Sequence, residues 1–211
     1  GASEFSDRWN DLANWKLNPS GEQPSTEPGK DDDVTITFDN GGQQGHVAVD
    51  QPAPITIKSL RVTGSTPGDD FGGLVIKPVN FTVIGNVVID GAATLDIQVG
   101  GTAFFTAPNV SVTSAPGFRF MNGYVNAPVY VLGPSGHMSF ETTAEKIFLQ
   151  PIVVSGSGAV LDFSVAEVSR SAATLVLIEF GSSGSISAEK GGVVNVMGNI
   201  AFQYQRNTHP G

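Results

Sequence analysis

With 211 residues, 26 of them glycine and 13 proline, and only 15% charged, the chain can hold one domain with a substantial core but is poorly suited to a helical one. A formal net charge of −9 opposes binding to a nucleic-acid backbone or an anionic membrane, and no apolar run reaches the roughly 18 residues of a bilayer span, so neither nucleic acid nor membrane insertion is expected of this stretch. Cysteine is absent, which excludes disulfides, thiolate nucleophiles and zinc–thiolate sites.

Residues 1–5, Gly-Ala-Ser-Glu-Phe, read as a cloning scar and are left out of the fold. Residues 6–33 are polar, rich in Pro, Ser and Asp, and carry both tryptophans, Trp9 and Trp15. They are expected to cap the end of a β-helix domain spanning 34–211, because an open terminal coil would offer unpaired backbone and apolar side chains. The first strand signal is the alternating run Val34-Thr35-Ile36-Thr37-Phe38, followed by the turn-like Asp39-Asn40-Gly41-Gly42. Short runs centred on Ala48, Thr56, Arg61 and Val75 follow.

From 86 to 163 one unit recurs: an apolar pair two residues apart, a Gly/Ser/Pro corner, and a second such pair. The pairs are Val87/Ile89 with Leu95/Ile97, Val110/Val112 with Phe118/Phe120, Val129/Val131 with Met138/Phe140, and Ile152/Val154 with Leu161/Phe163, with Ile178/Phe180 then Ile186 read as a fifth unit. The second members of the leading pairs, at 89, 112, 131, 154 and 180, recur with a solenoid period. Gly91, Gly117, Gly133, Gly136, Gly156 and Gly158 sit at the corners, and Pro108, Pro128 and Pro151 come just before leading strands, where no ladder hydrogen bond is lost. A third run per unit, at 103–105, 147–149 and 193–196, implies three strands per coil. The expected fold is all-β: a right-handed parallel β-helix (solenoid) with an N-terminal cap. An antiparallel β-sandwich or jelly roll, which is also built from short strands in close succession, is the alternative.

Trp9, Asn14-Trp15, Pro28, Asp32-Asp33-Val34-Thr35-Ile36, Val49, Ile57-Lys58-Ser59-Leu60-Arg61-Val62 and Gly85-Asn86-Val87 together resemble the opening of β-helical extracellular proteins. Bacterial adhesins and autotransporter-like surface proteins are similar here, as is the eight-glycine domain of animal cell-surface and hyaluronan-associated proteins. The likeness spans roughly 9–90, rests on strand and turn positions, and transfers no catalytic residue. It implies an extracellular or cell-surface location.

Catalytic motifs are missing. His46, His137 and His209 lie far apart with no H-E-x-x-H spacing, and His137, beside Gly136, is expected to be a solvated corner residue. Neither a G-x-S-x-G elbow nor a phosphate loop occurs. The outward column Asp96, Arg119, Ser139, Asp162, Ser187 is the place for sugar chemistry. Its two carboxylates would be three turns apart, about 14 Å at 4.8 Å per turn. That exceeds the roughly 5–9.5 Å of paired glycosidase carboxylates, and Asp96 with Arg119 reads as a surface ion pair.

Calcium is the cofactor the acids could serve: Asp31, Asp32, Asp33 and Asp39, with Asn40, supply hard oxygens, although in no EF-hand or nonapeptide spacing, and a solvated polar turn with Asp as a local cap is the favoured reading. The leading strands are apolar at both parities, so Val88, Tyr130 and Val153, with Leu177, should form an outward stripe, covered by the chain's own loops or by a partner. The expected function is a non-catalytic adhesion, recognition or scaffolding module that takes a glycan or a surface protein. The alternatives are a polysaccharide lyase or hydrolase, and a phage-tail or envelope structural protein.

Overall fold

The computed structural model describes residues 8–38, 46–64, 73–98, 103–115, 117–140, 146–164, 176–180, 183–197 and 200–204. Strands follow one another in threes. The first coil holds β1 (Asp33–Phe38), β2 (His46–Val49) and β3 (Ile55–Ile57), and the second β4 (Ser59–Gly64), β5 (Gly73–Ile76) and β6 (Phe81–Val83). β7 (Asn86–Gly91), β8 (Thr94–Gln98) and β9 (Phe104–Thr106) make the third, and β10 (Asn109–Val112) with the long β11 (Gly117–Asn126) the fourth. Then come β12 (Val129–Leu132), β13 (His137–Phe140) and β14 (Lys146–Phe148); β15 (Ile152–Ser155), β16 (Val160–Ser164) and β17 (Val176–Phe180); and β18 (Ile186–Glu189), β19 (Val193–Met197) and β20 (Ile200–Tyr204).

Each strand pairs in parallel with its counterpart one coil away. The leading strands make a 7-stranded sheet in the order β1-β4-β7-β10-β12-β15-β18. The second and third strands of the coils make two further sheets, joined into 13 strands because β11 belongs to both. The fold is a right-handed parallel β-solenoid, the hand that parallel strands joined by crossovers adopt. Parallel pairing throughout rules out the sandwich.

Alternation explains the core. In the leading sheet Val34, Leu60, Val87, Val110, Val129 and Ile152 share one inward column, and all are buried. The second sheet sends in Leu95, Phe118, Met138 and Leu161, and beside them Ile97, Phe120, Phe140 and Phe163. Phenylalanines stack along the axis, Phe140 at 4.4 Å from Phe163 and Phe81 at 6.2 Å from Phe105, while Phe120 meets Phe148 of the third sheet edge-on at 4.8 Å. Corners need glycine where the chain turns tightest. Gly91 has φ +65°, and a Cβ there would lie 2.1 Å from the carbonyl oxygen of Gly64 on the preceding coil.

The prolines expected before leading strands stand before β10, β12 and β15, and the carbonyls of Pro128 and Pro151 accept from Val110 and Val129 of the neighbouring coil. In the fourth coil a bulge between Phe120 and Asn122 carries β11 round from the second sheet to the third without a break.

The fifth repeat is shifted by one strand from the sequence reading. Ile178 and Phe180 belong to β17 in the third sheet, and the leading strand of the last coil is β18, with Ile186 opposite Ile152 and Ala188 opposite Val154. For the same reason residues 193–196 form the second strand of that coil, with β20 as its third. Counted correctly, Val62, Ile89, Val112, Val131, Val154 and Ala188 share one column. The coils that separate them differ in length: the shortest runs from Val112 to Val131 and the longest from Val154 to Ala188. That longest interval includes residues 165–175, outside the described set.

At the N-terminal end Trp9 is 1% exposed and plugs the apolar column. Its amide donates to the Ala48 carbonyl at 2.8 Å, its ring meets Phe81 edge-on at 5.6 Å, and Trp15 packs against its other side at 4.8 Å. Asp11 accepts from the Ala13 amide to cap a short 3-10 turn, Leu12–Asn14, and the Trp15 indole donates to the Trp9 carbonyl. In the last described coil Val196, in the column of Phe140 and Phe163, is 52% exposed, and Val193 45%.

Candidate functional site

The leading sheet presents a regular outer face of seven strands. Down its centre runs a column of Thr35, Arg61, Val88, Ser111, Tyr130, Val153 and Ser187, set in register coil by coil. Val88, Tyr130 and Val153 therefore do share a face. They do not form an unbroken stripe, because Ser111 separates Val88 from Tyr130. Tyr130 is 39% exposed, and the two valines are half-buried. Leu177, which the sequence reading attached to this stripe, belongs to the third sheet instead.

Polar ladders flank the column. Asn109 donates to Asn86 at 2.6 Å across two coils, and Arg61 reaches Asp90 at 2.7 Å. Burial pushes the Asp90 carboxyl up, but the hydrogen bonds from Arg61 and Thr63 and the guanidinium charge outweigh it and hold the group below its usual value. The Lys58 ammonium and Ser59 hydroxyl hydrogen-bond Asp33 and lower its carboxyl, while Asp33 raises Lys58.

Of the four acids weighed as calcium ligands, Asp32 accepts from the Gly29 amide at 2.8 Å, Asp33 is engaged as above, and Asp31 lies exposed beside Lys30. Asp39 lies outside the described residues. Among the described residues no three His, Cys, Asp or Glu side chains are grouped so as to hold a metal ion.

The second sheet carries the other polar row. Asp96, Arg119, Ser139 and Asp162 occupy one outward column, as the sequence reading placed them, but the next member is Asn195, since Ser187 lies on the leading sheet. This row is less open than a surface column: Asp96 is 4% exposed and Ser139 5%. Gln98 donates to Asp96 at 3.1 Å, and Asn195 donates to Asp162 at 2.7 Å. His137 is not a free corner residue either. It opens β13, and its Nε2 lies 2.8 Å from Asp162 Oδ2 on the next coil. His209 lies outside the described residues.

Outer sites on the third sheet escaped the sequence reading. Phe104 and Tyr124 are adjacent in register and tilt against each other at 4.7 Å, and the consecutive aromatic pair Phe104-Phe105 was their only signal. Asn80 accepts from the Phe104 amide, so its side chain braces the coil.

Comparison of the chain with family models, with curated proteins and with solved structures gives no match. The fold class rests on the strand pairing, and function has to be argued from the faces themselves.

Proposed function

We propose that this chain is a non-catalytic recognition module of an extracellular or cell-surface protein, which lays a glycan chain along the outer face of the leading sheet. The reading is carried by Tyr130, an exposed aromatic ring on a parallel sheet, with Ser111 and Val153 on the adjacent strands. An aromatic face takes the C–H surface of a sugar ring, while hydroxyls and amides spaced about 4.8 Å apart meet its polar edges. The spacing of the carboxylates speaks for binding rather than cleavage: Asp96 and Asp162 are three coils apart in register, about 14 Å, too far to act as a glycosidase pair.

The test is a glycan and polysaccharide array, run with calcium and with chelator, comparing the native chain with Tyr130→Ala and assaying the bound sugars for shortening. Selective retention without shortened products, weakened about tenfold by Tyr130→Ala, is expected from losing an aromatic contact worth roughly 1.4 kcal/mol. Cleavage, or retention indifferent to Tyr130, would overturn the reading. Retention abolished by chelator would bring Asp31, Asp32, Asp33 and Asp39 into the site as calcium ligands.

A further inference from the structure

Around Tyr130 the leading sheet is uncharged. Ser111 and Val153 stand across the ladder from the ring, Pro128 and Leu132 lie two places before and after it in the chain, and Asn109 and Ser155 take two of the diagonal places. Such a surround offers hydroxyls, an amide and apolar groups, and nothing that holds an anion by charge.

The cations of this sheet are already matched by acids. Arg61, the one cation of the central column among the described residues, stands three strands from Tyr130, about 14 Å. Its Nε and Nη2 both donate to Asp90 Oδ2, at 3.0 and 2.7 Å, and the Lys58 ammonium donates to Asp33 at 2.6 Å. In the last coil Glu189 and Lys190 are consecutive, one charge of each sign. The chain as a whole carries a formal net charge of −9.

We propose that the glycan taken by this face is uncharged, and that Asp90 sets the selectivity by holding Arg61 in an ion pair. The inference rests on the Tyr130 reading and narrows it to neutral sugars. A uronate or sulfate group laid beside the ring would give up its hydration and meet no cation in exchange. The negative field of the chain would also lower the concentration of an acidic glycan near the face. A neutral sugar gives up only hydroxyl hydration, which Asn109, Ser111 and Ser155 replace, and keeps its C–H contact with the ring. Released from Asp90, the Arg61 side chain, 56% exposed, would supply the missing cation, because a glycan laid along the column from Tyr130 passes over it.

Polysaccharides that share a backbone and differ in charge test this. Hydroxyethyl- and carboxymethyl-cellulose make one pair, methyl-esterified and free polygalacturonate another, and hyaluronan is added as a third acid. Each is cast into a native gel and run in chelator, so that no calcium bridges acid to acid. The native chain should be retarded by a neutral member, and at least about tenfold more weakly by its acidic twin. Retardation by the neutral member should hold from about 20 to about 500 mM salt, a range over which charge contacts are screened. Asp90→Asn, with an unchanged circular dichroism spectrum, should strengthen acidic retention by about threefold or more, and adding Arg61→Gln should cancel the gain.

Acidic retention by the native chain that matches the neutral, and that is lost in Tyr130→Ala, would overturn this inference and leave the Tyr130 reading standing. Retention of neither kind would sink both. No gain from Asp90→Asn, or a gain that survives Arg61→Gln, would overturn the role given to Asp90.

Discussion

Phe140 offers the sharpest test of the core, because three rings meet it from three directions. It is 2% exposed, stacked at 4.4 Å on Phe163 of the next coil, and meets Phe148 at 5.5 Å and Phe120 at 6.2 Å, both edge-on. Phe140→Ala removes a buried ring from a column that cannot collapse easily, since the coil spacing is fixed by the ladders on either side. The transfer and cavity costs together come to about 3–5 kcal/mol, and the ring–ring geometry favours the upper half of that range. For a domain of this size that means a fall in Tm of roughly 6–20 °C. Urea titrations followed by circular dichroism measure it, with Tyr130→Ala, on the surface, expected to stay within about 0.5 kcal/mol of the native chain. If Phe140→Ala cost less than about 1 kcal/mol, well under the range for a buried ring, the rings would not be sharing one packed column and the stacking argument would fail.

Two further outcomes concern the corners and the acids. Gly91→Ala combines a left-handed backbone with a direct collision against Gly64, so it should cost more than about 2 kcal/mol, while Gly21→Ala, at φ +74° with nothing within 4 Å, should cost only the roughly 1–2 kcal/mol of the backbone conformation; urea titration of both variants checks the order. The carboxyls of Asp33 and Asp90 both lie below the ordinary value of 3.8, so each adds stability that is complete above that value and is lost as pH falls through the folded one. Asp90→Asn should therefore flatten the acid limb of a stability–pH curve below about pH 4; an unaltered limb would show that Arg61 does not hold the group ionised.

The coil was legible where each of its parts was short and regular. From Val87 to Phe163 the apolar pairs and corner glycines repeat at nearly constant spacing, and every pair assigned there took its expected sheet. The reading slipped after Phe163 because the next leading strand does not begin until Ile186, and the apolar Ile178 and Phe180 fall where a coil of ordinary length would have placed it. The third strand of the fourth coil was missed for another reason. It follows Phe120 through a bulge instead of a corner, and Val125 is its one inward apolar residue.

Site residues were harder to read than strands. His137 looked like a corner residue from its neighbour Gly136, and its partner Asp162 is 25 positions away, a contact that exists only once the register is fixed. The outward column of Asp96, Arg119, Ser139 and Asp162 could be read from alternation alone, but its burial could not, since alternation says which side of a sheet a residue takes and nothing of what lies over it.

The unequal coil lengths have a consequence for how such a chain can change over time. The short coil between Val112 and Val131 and the long one between Val154 and Ala188 both keep register with their neighbours, so the difference in length falls in the connections between strands. Lengthening such a connection adds only a slowly growing closure cost, about 0.6 kcal/mol per doubling, and moves no strand. Corners are thus places where new sequence can be tried without risk to the frame, and a lineage built on this plan could acquire new surfaces by insertion while its core column stays the same.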